Sequence, residues 1–470
     1  MPSHHYDIVI IGAGPGGYVA ALKAGQLGAS CAIIEKHHLG GTCLNYGCIP
    51  SKALLASGEL LHRIARGDEL GVSVEGATFD WSAVQKRKNK VLRQLRAGTA
   101  SLLKGRNVAL YEGAGRLDGP GKVIVDGKDG SEALTAGAVI LAVGSTPARI
   151  PGWPEDPKRV STSDEALHWD ALPRSLLIVG GGVIGCEFAC MMQSFGVEVT
   201  VVEMLPGLLP GMDEDLGAAL AKSFKTRGIG IHTDTKVEKM VAGADGVTAD
   251  LSSGESIVAE RLLIAVGRRA ATDEIGLDTC GIETNRGFIE VDDRMETRCS
   301  GVYCIGDANG RCLLAHAASA QGVVAVQNAL GNVVPMEGTI PDAVYTYPEV
   351  AASGLTADEA RQQGVPISIG MFPIGHLGKA MAVGETEGFV KVVRHRETDE
   401  LLGVHIIGHN ATEIIAAANA LVDDRAEVHD AAEIVFAHPT ISESLKESMD
   451  DALGAALHLP PRTIHRVAAE

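Results

Sequence analysis

Cys43 and Cys48 stand five positions apart in "GGTCLNYGCIPSK" (residues 40–52), a stretch otherwise rich in glycine and small residues. Thiols this close can hold a metal, staple the chain or exchange electrons. A structural zinc site wants four Cys or His ligands, and the spacer "LNYG" would suit one half of such a site. A bond between the two sulfurs asks more of the backbone. Residues i and i+5 of a regular helix have Cα atoms roughly 8–9 Å apart, whereas a disulfide needs about 4.4–6.8 Å. A helix through this stretch must therefore be distorted, and Gly47 supplies the freedom. The chain has nine cysteines in 470 residues, too sparse for a disulfide scaffold. The pair reads as a reversible redox couple in preference to a zinc clip or inert thiols.

Chemistry of this kind needs elements that hold it, and the chain supplies one element design twice. "YDIVIIGAGPGGYVAALKAGQLGASCAIIEK" reads as strand, tight turn, helix, strand, with Gly12, Gly14 and Gly17 in a G-x-G-x-x-G pattern and Glu35 closing the second strand. "SLLIVGGGVIGCEFACMMQSFGVEVTVVEM" repeats it with Gly180, Gly182, Gly185 and Glu203 at matching spacing. The first glycine permits the turn, the second lets the backbone approach a pyrophosphate, and the third lets helix and strand pack closely. The helix N-terminus then favours the phosphate charge, and the terminal carboxylate can accept ribose hydroxyls. "VILAVGS" and "LLIAVGR", containing Gly144 and Gly267, are matching strand-plus-turn endings, each preceded by what look like small antiparallel meanders.

The cysteine pair falls in an insertion of about residues 40–107 in the first copy. The proline-rich "STPARIPGWPEDPK" reads as a linker between the copies. The predicted architecture is α/β, with Rossmann-like dinucleotide-binding domains over 1–148 and 149–272. A central segment, 273–345, would complete the first site, and 346–470 mixes strands with alanine-rich helix and has no phosphate loop. Composition adds exclusions. A net charge of −18 argues against nucleic acid or an anionic membrane as partner. No apolar run is long enough to span a bilayer. The N-terminus enters a strand at once, leaving no room for a targeting peptide, so a cytoplasmic setting is expected.

Taken with "AVGSTP", "AVGRR", "CIGDANG", "AHAASAQG", "YTYPEV" and "AHPTISES" in this order, the motifs resemble the pyridine nucleotide–disulfide oxidoreductases. The likeness is greatest to the branch that reoxidises protein-bound dihydrolipoamide. The resemblance implies tightly held FAD on the first unit, with Glu35 at the adenosine ribose and Asp307 at the ribityl chain. It implies NAD on the second. Lys52 and Glu187 match an ion pair beside the flavin, the helix from Ala315 points at the flavin, and Ala114, Gly144, Val237 and Gly267 fall at cofactor-binding positions. Cys43 would exchange with a substrate dithiol, and Cys48, against the flavin, would pass electrons on. His438, held by Glu443, would take the thiol proton. The implied assembly is a homodimer built on a C-terminal α+β dimerisation domain and served by lipoyl domains of acyltransferases or a lipoylated carrier protein, with no metal. A glutathione-reductase-like enzyme and a redox-inert flavoprotein are the rival readings. His4, His5, His37, His38, His405 and His409 have no matching ligand set and read as structural or solvated.

Overall fold

The computed structural model describes residues 4–460. Strand β1 (His4–Ile11) runs into helix α1 (Pro15–Gln26) and returns as strand β2 (Cys31–Glu35). The run "IVII" is fully or almost fully buried because β1 lies between two parallel neighbours, β2 and the strand Gly130–Leu141. Val302–Cys304 joins the outer side of Gly130–Leu141, so a segment from late in the chain completes the first sheet.

The second copy repeats this order with β3 (Ser175–Val179) and β4 (Glu198–Val202) in a parallel sheet with Arg261–Ile264. The repeat extends to single atoms. Gly12 has φ +102° and an ideal Cβ there would lie 2.3 Å from the Ala142 carbonyl oxygen. Gly180 has φ +110°, with the Ala265 oxygen also at 2.3 Å. No other residue type fits either turn.

Two details differ from the sequence reading. Both meanders form, but the first is continuous with its main sheet through the twelve-residue strand Gly130–Leu141, whereas the second stays a separate three-stranded sheet. The proline-rich stretch is also not linker throughout. Ser145–Pro147 pairs with Arg268–Ala270, because the two copies' strand endings leave their sheets side by side. The two-stranded ribbon tolerates Pro147, which lacks an N–H, because no third strand lies on its outer side.

The insertion is helical: α2 (Gly41–Tyr46), α3 (Cys48–Ala65) and α4 (Trp81–Gly105). The C-terminal part is a five-stranded antiparallel sheet from Asp342–Val344 to Leu401–Gly408, with its own apolar core. Lys391 in that sheet is buried and paired at 2.8 Å with the equally buried Asp213 of the second dinucleotide unit. Breaking one side of such a pair would strand a charge in the interior, so the contact fixes how the two parts sit. No helix among the described residues is long and apolar enough to cross a membrane.

Candidate active site

Helices α2 and α3 are one helical path broken at Gly47, whose φ −145° and ψ −111° belong to neither helix nor strand. The break brings the two thiols together. Both cysteines are free, and each side chain is the largest influence on the other's pKa. That contact sorts them. The hydrogen bond from Cys43, aided by the Lys52 ammonium, pulls Cys48 down to about 7 against the cost of burial. Donating that bond, and burial, push Cys43 well above the ordinary thiol range. Cys48 is the thiolate of the pair.

Lys52, one turn into α3, donates at 2.8 Å to both carboxylate oxygens of Glu187. Glu187 sits on α5 (Val183–Ser194) with its side chain 8 % exposed, and also accepts the Tyr345 N–H at 3.1 Å. Lys52 lies 4.3 Å from the centre of the Tyr345 ring. One ion pair thus ties the redox helix, the second dinucleotide unit and the C-terminal part together beside the thiols.

The cysteines open on a cavity of about 1590 Å³, larger than the ~300–1,000 Å³ of an ordinary small-ligand pocket. It runs from Glu35 and Gly14 past Cys43 and Cys48 to Gly182 and Glu203, and Asp307 and Ala315 also line it. Ala114, Gly144, Val237 and Gly267 line it as well. Gly17 and Gly185 lie beneath its two glycine turns, where an added Cβ would come within 2.0 and 1.9 Å of the Gly12 and Gly180 oxygens. An ideal Cβ on Gly14 or Gly182, by contrast, meets no protein atom within 4 Å, so each would project into space left for something else. The two acids are braced alike. Glu35 accepts from the N–H groups of Ala13 (2.9 Å) and His37 (2.8 Å), and Glu203 from those of Gly181 (2.6 Å) and Leu205 (2.8 Å). The fifteen-residue helix α6 (Ala315–Ala329) begins at the cavity wall without a side-chain cap, leaving its first N–H groups free for a ligand's negative edge.

His438 and Glu443 lie elsewhere. The His438 Nδ1 is 2.9 Å from a Glu443 oxygen, which leaves Nε2 as the free base, and the imidazole is 77 % exposed. Burial would raise the Glu443 pKa, yet the Thr440 N–H and the His438 ring hold it below the usual carboxylate value. Neither residue lines the cavity within this chain.

Three features escaped the sequence. Arg268 donates to the Ser145 hydroxyl at 2.7 Å, and Ser145 bonds Asp307, so the two turn endings meet at the carboxylate assigned to the first cofactor. Each residue directly follows an "AVG" turn, which was the available signal. Cys186 and Cys190, a second close cysteine pair, are both buried on α5. Cys190 is taken up by Arg227 and the Tyr347 N–H, and no three Cys, His, Asp or Glu among the described residues cluster as metal ligands. The third feature is a fully buried lysine, Lys88.

Comparison with known proteins gives a consistent picture. Residues 6–322 match the family described as pyridine nucleotide-disulphide oxidoreductase, and residues 340–449 match its dimerisation domain. The dihydrolipoyl dehydrogenase of Bacillus subtilis is 41% identical, over 96% of this chain and 99% of the relative. That of Zymomonas mobilis is 40% identical, over 97% and 99%. Among solved structures, LpdA of Mycobacterium tuberculosis superposes with a TM-score of 0.88 at 28% identity, covering 95% of this chain and 99% of that one. The flavoprotein disulfide reductase RclA of Escherichia coli gives 0.84 at 26% identity, with coverage of 95% and 99%.

Proposed function

The chain belongs to the pyridine nucleotide–disulphide oxidoreductases, and from that premise we propose that it oxidises protein-bound dihydrolipoamide with NAD⁺ through Cys43 and Cys48. The observation that carries this reading is the thiol pair across the Gly47 break, facing a cavity that spans both dinucleotide units.

The first unit would hold FAD and the second NAD. The open space over Gly14, the braced Glu35, Asp307 and the uncapped start of α6 make up a cradle that fits FAD. When bound, FAD would accept the electron pair of the thiols and return it as hydride to NAD⁺. The chain's own residues do the rest. A substrate thiolate attacks the Cys43 sulfur of the Cys43–Cys48 disulfide, and Cys48 leaves as the thiolate that Lys52 stabilises. The second substrate thiol then displaces Cys43, closing the substrate disulfide. His438 Nε2 takes the proton of the first substrate thiol, and the proton of the second passes to Cys43 as it leaves. The balance is dithiol plus NAD⁺ to disulfide, NADH and one proton.

Assembly completes the site. Ile434 and Val435, just ahead of His438, are exposed, Val435 to 94%. An apolar pair beside an idle base suits a subunit contact. In a two-fold homodimer each chain lends His438 to the other's Cys43. The lipoyl group arrives on a separate protein.

Nucleotide choice follows from Glu203. A 2′-phosphate 4 Å away would be disfavoured by on the order of 4 kcal/mol at an effective dielectric of 20, before screening. The test compares kcat/KM for dihydrolipoamide with NAD⁺ against glutathione disulfide with NADPH. The first should exceed the second, and NAD(H) should be preferred to NADP(H) by well over about tenfold. Equal efficiency with NADPH would refute the assignment.

FAD content tests the cradle. Gly14 has φ −66° and ψ −177°, which any residue adopts, so Gly14→Val demands no unusual backbone and places its side chain in the open space. The wild-type protein should carry one FAD per chain and the variant less than about a tenth of that, by absorbance after desalting. Full retention would show that the pyrophosphate lies elsewhere.

A further inference from the structure

Asp307, the carboxylate assigned to the first cofactor, does not stand on a long regular element. It sits in the four-residue turn Gly306–Asn309, between the strand Val302–Cys304 and helix α6. So short a turn makes few bonds of its own, and groups outside it decide where the carboxylate lies. Helix α6 supplies them in two ways.

The first is a side chain. Gln321, two turns into α6, is 2 % exposed. Its Oε1 lies 2.7 Å from the Gly306 nitrogen and 2.9 Å from Asn309 Nδ2. Backbone groups at both ends settle which amide atom is which. The Gly306 N–H can only donate, so the Gln321 atom facing it is the oxygen. The Arg311 N–H likewise donates to Asn309 at 3.0 Å, so that atom is Oδ1. The Asn309 NH2 is thereby turned toward Gln321 and the Cys304 carbonyl, the latter at 3.2 Å. One oxygen takes up donors from the first and last residues of the turn, which bracket Asp307. A methionine of similar length would leave the buried Gly306 N–H without this acceptor.

The second is close packing. Gly306 has φ +68°, and an ideal Cβ there would come within 3.1 Å of the Ala318 Cβ on α6. Helix α6 also lies directly on α1. A Cβ added at Gly16 would stand 2.9 Å from the Ala318 oxygen, and one at Gly322 would stand 2.6 Å from the Gly16 oxygen. The Gly14 turn, the Asp307 turn and the uncapped start of α6 are therefore borne by elements in direct contact, and Gln321 is the polar tie between two of them.

We propose that Gln321 is a positioning residue for the flavin: its oxygen locks the Gly306–Asn309 turn to α6, so that Asp307 and the helix N-terminus meet the cofactor as one rigid unit. This rests on the placement of FAD in the first unit, and its test reads flavin affinity and not turnover.

The experiment follows release of FAD from the intact holoenzyme on dilution, by recovery of flavin fluorescence. Gln321→Met should raise the dissociation constant about tenfold, the scale on which one unpaired buried donor is felt. Gln321→Asn stays polar but is one methylene too short to reach the turn, so it should do the same, and it serves if the apolar variant does not fold. Gln321→Glu keeps an acceptor for both donors and should stay within about threefold of wild type. The deciding measurement is a double-mutant cycle. Asp307→Asn alone should also weaken FAD about tenfold, and the pair Asp307→Asn with Gln321→Met (or Gln321→Asn) should lose little more than either single variant, because a carboxylate already displaced has little left to lose. Losses that multiply to about a hundredfold would make Gln321 a general support of the fold, acting apart from Asp307, and would overturn the proposal. So would unchanged affinity in Gln321→Met, or a Gln321→Glu variant as weak as Gln321→Met. Each of those results leaves FAD in the first unit. An Asp307→Asn variant that binds FAD as wild type does would instead sink the cofactor placement, and the proposal with it.

Discussion

Cys43→Ser should lower steady-state oxidation of dihydrolipoamide by NAD⁺ by at least about three orders of magnitude, because an alcohol at this position cannot carry the exchange. The same variant should keep NADH oxidation by an artificial electron acceptor within about twofold, since hydride transfer does not pass through Cys43. The serine hydroxyl can still donate to Cys48, so the Cys48 thiolate should survive. Cys43→Ala removes the donor that contributes most to lowering Cys48. In the wild type the thiolate absorbance of the reduced enzyme should appear as pH rises through about 7, and in Cys43→Ala that rise should move to higher pH. If Cys43→Ser still turns over dithiol, the roles are reversed.

His438→Gln should cost about a hundred- to ten-thousandfold in the dithiol reaction, the range expected for loss of a general base, with the flavin still reducible by NADH. The larger consequence concerns geometry. His438 and Glu443 form their pair within one chain, but they stand apart from the cavity that holds Cys43. If His438 serves the partner's thiols, inactive Cys43→Ser and inactive His438→Gln chains refolded together should yield heterodimers with one competent site of two. Equal mixing would restore roughly a quarter of wild-type activity, since half the dimers are mixed and each has one site. Heterodimers that are demonstrably present yet inactive would exclude a shared site.

The parts of this molecule legible in the sequence are those where one residue type alone meets a backbone demand. Gly12 and Gly180 are examples, because a carbonyl oxygen stands where any Cβ would go. The break at Gly47 was legible for a similar reason, since two sulfurs five positions apart cannot meet on a regular helix. The contact of Lys88 with His168 and the Leu167 carbonyl was hidden because it joins two separate segments and neither carries a local pattern. An isolated lysine on a helix reads as a solvated charge, and only tertiary packing turns it inward. The strand Ser145–Pro147 was hidden differently: its proline argued for linker, and its partner lies in the other copy.

The doubled brace on the two terminal acids bears on any attempt to redesign the nucleotide preference. Glu203 touches the backbone on both sides of its turn, at Gly181 and Leu205. It works as a keystone as much as a selector. Replacing it with arginine to welcome a 2′-phosphate would free both N–H groups at once and slacken the loop meant to grip the pyrophosphate. A successful switch should therefore need a second change that supplies a new acceptor for Gly181. Reprogrammed variants lacking that change should trade specificity for weaker binding of both nucleotides.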